Sequence, residues 1–287
     1  MQAINKGVLM IKKQNIVLAY KGIENYVSEA KKSDIKDYKD LWQQYVIAPY
    51  WHLWAANQHN EQRIKAEVAN PITDLVNLNR AFKILNSIDI EQKITEIFYK
   101  IENSLPHPEG GLSICVLINT NLKDNVHGVV GSCVGDNILI SINPLVENWL
   151  NYLGWVIAHE YNHCIFGYNY YYLQKNTSMN VLTTIITEGL ADSFAKSLYP
   201  KLTVNWINGL NSEQKKEQWQ KIKSILFNEI TPQVYMRLFF ENDTTPVFTG
   251  YNIGFAIIQS YLKFHNTKFT DLMKMDSKEI LEESNYC

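Results

Sequence analysis

The sequence lacks long apolar runs and has few cysteines. No stretch approaches the about 18 consecutive apolar residues of a membrane-spanning helix. The start, MQAINKGVLMIKK, has four consecutive strongly apolar residues, which is too few for the core of a signal peptide. The four cysteines form no Cys-x-x-Cys pair, so we expect buried, inert thiols. These absences predict a cytoplasmic protein with no membrane partner.

An excess of charge of one sign is also missing. The 27 basic and 29 acidic residues are interspersed and give a net charge of −2, so no surface is expected to attract nucleic acid. The densest basic stretch, at 213–223, alternates with Glu and Gln, as on the solvated side of an amphipathic helix. Disorder is excluded, because 46% of the residues are hydrophobic and 12% are aromatic.

Apolar spacing divides the chain into helical and strand-rich parts. Residues 23–105 and most of the chain after the strands have apolar residues three and four apart, which is typical of helices. Between them, LSICVLINT, GVVGSCVG and NILISINP are short, rich in Ile and Val and separated by turn residues, which predicts a small sheet. Irregular alternation favours an α+β fold. We predict one compact unit with a helical lobe (1–105), a small sheet (106–145), two central helices (146–200) and a second helical lobe (201–287).

Two mostly apolar helices are expected after the sheet. Asn143 suits the N-cap position and Pro144 the first helical residue, so the first helix is expected to start there, and Gly167 to close it. The second is expected over about Ser178–Leu198, before Pro200. Each helix carries polar residues inside its apolar run.

The first helix contains WVIAHEYNHCIFG, in which His159, Glu160 and His163 interrupt the apolar run. Residues four apart lie on one face of a helix, so both imidazoles can reach one metal ion. Zinc takes imidazole nitrogen, and Glu160 points elsewhere, where it can act on water as a general base. On this HExxH motif alone, the alternative is a pair of core histidines bonded to backbone carbonyls, with Glu160 at a solvated edge.

The second helix carries Glu188 and Asp192, four residues apart and therefore on one face. Two carboxylates on the inner side of an apolar helix repel each other and need a cation or hydrogen-bond donors. A zinc ion on the two histidines would supply the charge, with Glu188 as third ligand and Asp192 accepting the outer N–H of a ligand histidine. The alternative, an exposed acidic pair, has no basic partner until Lys196.

HEYNH, 24 intervening residues and EGLAD resemble the gluzincin metallopeptidases, in which HExxH is followed by Glu-x-x-x-Asp. The chain more closely resembles a bacterial family of predicted Zn-dependent proteases (YjaZ-like). In that family a strand ending in ISINP leads into the HExxH helix, and a GYxxG element follows. Here these elements are ILISINP at 138–144 and GYNIG at 250–254. The likeness covers most of the chain.

The resemblance implies a zincin-like fold with a thermolysin-type catalytic core. It implies His159, His163 and Glu188 as zinc ligands, Glu160 as the base, and Asp192 as the partner that orients a histidine, His159 in particular. The glutamate lies further from HExxH than in thermolysin-type enzymes. The connecting loop, GYNYYYLQKNTS, is therefore expected to be longer and to shape the cleft.

An oxyanion formed by water attack needs a hydrogen-bond donor besides zinc. Tyr251, between two glycines at a predicted helix start, is the first candidate, and its alternative role is packing. Arg237 is the second, although a structural ion pair is the favoured interpretation. GVVGSCVG (128–135) is the expected counterpart of the gluzincin edge strand that binds substrate backbone, but a bulge or ordinary sheet glycines explain it almost as well. His127 could line the cleft, though a loop histidine is favoured.

These residues predict a peptidase that uses Zn²⁺ and acts on a peptide or protein substrate by water attack on the amide. Two alternatives stay open: a zinc hydrolase of a non-peptide amide or ester, and a non-catalytic zinc-binding regulatory protein. Glu160 argues against the second alternative, because binding a metal does not require a base at that position. A free strand edge beside an open cleft would favour peptides over small molecules.

Overall fold

The computed structural model describes residues 15–32, 37–53, 68–107, 112–240 and 245–286. Within these ranges the chain is mainly helical with one four-stranded sheet, so the predicted α+β class is confirmed. None of the described helices is long and apolar enough to cross a membrane.

The sheet is mixed. Its strands are β1 (Asn15–Val17), β2 (Ser113–Ile118), β3 (Val129–Val134) and β4 (Asn137–Ile142). They lie in the order β1-β2-β4-β3, with β1, β2 and β4 parallel and β3 antiparallel to β4. Within the described part of the chain, β3 is therefore an edge strand. Gly135, at φ +58°, forms the tight turn between β3 and β4.

The helices surround this sheet. They are α1 (Ile23–Lys32), α2 (Tyr38–Trp42), α3 (Leu75–Asn86), α4 (Ile90–Ser104), α5 (Trp149–Gly167), α6 (Val181–Leu198), α7 (Asn205–Asn208), α8 (Ser212–Ile222), α9 (Pro232–Phe239), α10 (Thr249–Phe264), α11 (Phe269–Leu272) and α12 (Ser277–Glu283). Short 3₁₀ turns and two π-helical segments, Gln43–Ile47 and Tyr168–Leu173, join some of them. The basic stretch at 213–223 largely forms α8, whose Trp219 and Ile222 are buried.

Side-chain caps fix the start of several helices. Asp74, Asp89, Asn180 and Thr231 each accept a hydrogen bond from a backbone N–H in the first turn, which would otherwise lack an intrahelical partner. At α8, Asn211 and Gln214 form a reciprocal capping box. The local sequence thus specifies where these helices begin.

The core places α5 between the sheet and α6. α5 packs against β3 and β4 on one side and against α6 on the other, and α6 in turn packs against α10. Gly189 of α6 and Gly254 of α10 bring the two backbones together, since a Cβ at either would overlap backbone atoms across the contact. Both α5 and α6 are therefore buried on nearly every side.

The start of α5 differs from the sequence-based expectation. Pro144 was the expected first residue, with Asn143 as its N-cap, but the helix begins at Trp149. The Asn143 side chain instead fastens the end of β4, because its Nδ2 donates to the carbonyls of Thr120 (3.1 Å) and Leu122 (2.8 Å). Its Oδ1, the atom that would cap a helix, accepts a hydrogen bond from the backbone N–H of Leu145 (3.1 Å), in a turn that lies six residues before the first residue of the helix.

The end of α5 was also predicted wrongly. Gly167 has right-handed helical angles (φ −58°), and the backbone continues into the π-helical segment Tyr168–Leu173 rather than closing in a left-handed cap. The next helix begins at Val181, three residues after the expected Ser178, because Asn180 caps it. Its end at Leu198 is as predicted.

Candidate metal centre

The helix α5 brings the two motif histidines together. The Nε2 atoms of His159 and His163 lie 3.0 Å apart, and the ring centroids are 4.7 Å apart with the planes at 79°. His159 is buried with 8% of its surface exposed, and His163 is partly exposed. The i, i+4 spacing thus directs both ring nitrogens to one point on the inner side of the helix.

Glu188 of α6 completes a three-residue group with these histidines. Its Oε2 lies 3.3 Å from the Nε2 of His159 and 3.3 Å from the Nε2 of His163. Although Glu188 is buried, this oxygen has no hydrogen-bond partner among the described residues. The geometry of these three side chains could hold a metal ion, and we call them the metal group, or the ligand group where metal binding is discussed.

The separations within this group suit zinc. Tetrahedral zinc, with bonds of about 2.0–2.2 Å to imidazole nitrogen and carboxylate oxygen, places any two ligand atoms about 3.3 Å apart. The three measured separations are 3.0, 3.3 and 3.3 Å. Two imidazoles and one carboxylate are also a ligand set that zinc accepts in catalytic sites. The residues therefore fit the predicted ion.

Asp192, one helical turn beyond Glu188, contacts the far side of His159. Its Oδ1 lies 3.1 Å from Nδ1 of His159 and also accepts hydrogen bonds from the indole N–H of Trp155 (3.1 Å) and Trp206 (2.9 Å). A carboxylate at Nδ1 favours a proton on that nitrogen, so Nε2 is the ring nitrogen that would bind a metal. The structure therefore places Asp192 where the sequence predicted the partner of His159.

The carboxylates control the charge that this group favours. Burial lowers the pKa of His159, but Asp192, Glu188 and Glu160 outweigh burial and raise that pKa well above its ordinary value. Burial raises the pKa of Glu188, but the two histidines outweigh it and hold that pKa well below its usual range. The centre thus stabilises positive charge between its carboxylates, whether protons or a divalent cation supply it.

Glu160 lies on the β3 side of α5 and is not part of the ligand group. Its side chain is buried with 7% exposed and lies directly against Gly131 of β3. A Cβ at Gly131 would overlap the Cγ and carboxylate atoms of Glu160. The missing side chain of Gly131 thus leaves the space that the glutamate of the motif occupies.

Tyr251 lies beside the histidines at the start of α10. Its ring centroid is 6.3 Å from that of His159 and 5.1 Å from that of Phe239, which it meets edge-on. Burial, together with Glu188 and other nearby acidic groups, raises the pKa of its phenol well above the ordinary value. The hydroxyl therefore remains protonated and able to donate a hydrogen bond.

Two weaker candidates have other surroundings. Arg237 lines a cavity with Gln218, Lys221, Ile222 and Thr245, none of which belongs to the metal group. His127, in a left-handed conformation at φ +53°, stacks on Tyr152 with the ring centroids 3.7 Å apart. Burial lowers the pKa of this histidine. The structure thus gives His127 a packing contact.

Sequence reasoning missed the two tryptophans that hold Asp192. Trp155 lies four residues before His159, so helical spacing alone could have placed it on the same face. Trp206 belongs to the short helix α7, 14 residues after Asp192. No spacing rule relates residues across a loop, so this contact has no signal in the sequence.

Comparison with known proteins places the chain in a family. Residues 90–282, about two thirds of the chain, match the model of the family described as predicted Zn-dependent protease (DUF2268), and the chain belongs to this family. It is also 26% identical over 157 residues to the uncharacterized protein YjfC of Bacillus subtilis (strain 168), a match that covers 51% of this chain and 51% of that protein. The match thus spans about half the length of this relative. No solved structure matches.

Proposed function

We propose that this protein is a zinc-dependent peptidase of the gluzincin type. The proposal is carried by one observation: two helices bring His159, His163 and Glu188 to mutual separations of 3.0–3.3 Å while Glu160 lies beside them, outside the group. The family description, predicted Zn-dependent protease, supports the same reaction class.

In this proposal the residues divide the work. His159, His163 and Glu188 hold the zinc, and Asp192 fixes the tautomer and the orientation of His159. A bound zinc ion supplies a Lewis acid that polarises the scissile carbonyl and acidifies water. Glu160 accepts the proton of the attacking water and then delivers it to the leaving amine nitrogen.

Tyr251 is the proposed donor to the oxyanion. Its phenol is kept protonated and lies on the α10 side of the histidines, whereas Glu160 lies on the β3 side. A neutral donor and a base on different sides of the ligand group match the two charges that change during water attack on an amide.

The edge strand favours a peptide over a small substrate. Residues 130–133 of β3 are partly exposed, and within the described chain the strand pairs only with β4. An extended peptide can add to such an edge through backbone hydrogen bonds. Since Gly131 of this strand contacts Glu160, a peptide bound there would run past the proposed base.

The test measures zinc content and peptide cleavage in the wild type, Glu160→Gln and Tyr251→Phe. We expect one zinc per chain in all three, cleavage of a random peptide library by the wild type, and rates lower by about 10²–10⁴-fold in Glu160→Gln and about 10²-fold in Tyr251→Phe. Undiminished cleavage by Glu160→Gln would refute the assigned base.

The same measurements separate the alternatives. Zinc binding with hydrolysis of model amides and esters, but not of peptides, would support the non-peptide hydrolase. Zinc binding without turnover of any of these substrates would support the regulatory protein. A wild type that binds no zinc after reconstitution would contradict all three readings and leave the motif as core histidines.

A further inference from the structure

Two cysteines lie against each other where β3 packs on α5, next to the contact of Gly131 with Glu160. The Sγ atoms of Cys133, in β3, and Cys164, in α5, lie 2.6 Å apart. Cys164 is buried, whereas Cys133 is partly exposed. Cys115 is buried elsewhere, in β2, and Cys287 lies outside the described residues. Cys164 is thus buried as expected, whereas Cys133 is only partly buried and lies against it.

The pairing follows from the register of strand on helix. Side chains two apart in a strand point to one side and are about 6.6 Å apart along it, and residues four apart in a helix are about 6 Å apart along its axis. Gly131 contacts Glu160, so the next matching pair along this interface is Cys133 with Cys164. The packing that positions Glu160 thus also aligns the two sulfurs.

We infer that Cys133 and Cys164 form a redox-active dithiol that closes to a disulfide, a covalent modification site joining the edge strand to the HExxH helix. A disulfide bond is about 2.05 Å long, so closure from 2.6 Å requires a movement of only about half an ångström. The backbones of β3 and α5 already hold the sulfurs within that reach.

A disulfide of the glutathione class supplies the oxidising equivalents. Cys133, the accessible sulfur, attacks oxidised glutathione as the thiolate, forms a mixed disulfide and releases one reduced glutathione. Cys164 then loses its proton and attacks the Cys133 sulfur as the thiolate. The sulfur–sulfur bond to glutathione breaks, and the departing glutathione thiolate takes up that proton and leaves as a second reduced glutathione. Two protein thiols are oxidised, and one glutathione disulfide is reduced to two thiols.

The consequence of the disulfide is a covalent link between β3 and α5 beside the metal group. Cys164 directly follows His163, and Cys133 lies two residues from the glycine that contacts Glu160. The bond links positions 31 residues apart and thereby restricts separation of β3 from α5 in the unfolded and partly opened chain. The redox state of the surroundings therefore controls how firmly the edge strand is attached to the motif helix.

The experiment incubates the full-length protein in glutathione buffers of graded redox ratio, followed by acid quenching, intact mass and peptide mapping. We expect a loss of about 2 Da, a fall from four free thiols to two, and a Cys133–Cys164 cross-linked peptide. Cys115→Ala, the matched control, should behave like the wild type.

Single variants test the order of the steps. Cys164→Ala should retain a glutathione adduct at Cys133, because the resolving thiol is missing, and Cys133→Ala should leave Cys164 unmodified. A wild type that keeps a stable adduct at Cys133, or keeps both thiols at the most oxidising ratio, would overturn the inference. The readout needs neither metal nor turnover, so it does not depend on the proposed peptidase activity.

Discussion

The helix pairs α3–α4 and α5–α6 bury different kinds of residues. The buried positions of α3 and α4 are all apolar and recur every three or four residues: Leu78, Ala81, Phe82 and Leu85 in α3, and Ile90, Ile94, Phe98 and Ile101 in α4. Their polar side chains face solvent. In contrast, α5 and α6 are buried on nearly every side and include His159, Glu160, Glu188 and Asp192 among their buried residues.

This difference separates stability from function. Burying the apolar stripe of α3 or α4 stabilises the fold without further conditions. Burying carboxylates and imidazoles costs free energy unless each is paired, and replacing such groups by apolar ones is often neutral or stabilising. Folding stability therefore does not explain the buried polar residues of α5 and α6, whereas the proposed metal site accounts for them.

The largest effect on zinc affinity should come from removing the carboxylate of Glu188 from the buried helix pair α5–α6. Glu188→Ala deletes the only carboxylate of the ligand group, and we expect zinc affinity to fall by more than about 100-fold, beyond the loss typical of outer partners. Competition with a chelator of known affinity measures this change.

Glu96→Ala on α4 is the matched control. Glu96 is exposed and pairs with Lys93 at 3.5 Å, so its loss should leave both zinc affinity and stability nearly unchanged. If Glu188→Ala binds zinc as tightly as Glu96→Ala does, Glu188 is not the third ligand. Metal binding would then not explain why α5 and α6 bury polar residues and α3 and α4 do not.

A smaller effect should follow from filling the contact between α6 and α10. Gly189→Ala places a methyl group on the backbone of Gly254, and we expect the free energy of unfolding to fall by about 1–3 kcal/mol. Equilibrium urea unfolding in the presence of a chelator measures this without the contribution of metal binding.

Gly167→Ala, at another helical glycine, is expected to raise the free energy of unfolding rather than lower it. Nothing lies within 4 Å of a Cβ there, and the residue has right-handed angles, so alanine should stabilise by about 0.4–1 kcal/mol. Equal stability of the two variants would contradict the close approach of α6 to α10.

The sequence predicted the parts of this fold that depend on local spacing. Four-residue periodicity places His159 with His163, and Glu188 with Asp192, on single helix faces, and Ile- and Val-rich segments correctly mark three strands. The start of α5 was missed because the Asn143 side chain holds a turn: its Oδ1 accepts from the backbone N–H of Leu145, and its Nδ2 donates to carbonyls 21 and 23 residues earlier, contacts that leave no local pattern.

The surroundings of the centre depend on tertiary contacts in the same way. Gly131 reads as an ordinary strand glycine until β3 meets α5 and Glu160 occupies the space of its missing side chain. Trp206 reads as one more aromatic residue until α7 turns its indole to Asp192. Spacing along each helix could place the residues of the ligand group, Asp192 and Trp155, but not Gly131 and Trp206, which come from other elements of the chain.

The smallest expected effect on zinc affinity comes from removing a single hydrogen bond to Asp192. Trp206→Phe removes the indole N–H that lies 2.9 Å from Oδ1 of Asp192 and leaves the bonds from His159 and Trp155. A less restrained carboxylate holds His159 less firmly, so zinc affinity should fall by about fivefold, equivalent to a net hydrogen bond of about 1 kcal/mol.

Trp42→Phe removes a similar bond whose donor and acceptor both lie outside the metal group. The indole of Trp42 donates to the carbonyl of Val68 at 2.8 Å in the N-terminal region, so both variants lose one indole hydrogen bond and the same ring atoms. We expect comparable losses of stability, but a change in zinc affinity for Trp206→Phe alone. Equal zinc affinities in the two variants would mean that Trp206 contributes to packing only, as Trp42 does. Its hydrogen bond to Asp192 would then have no effect on zinc binding.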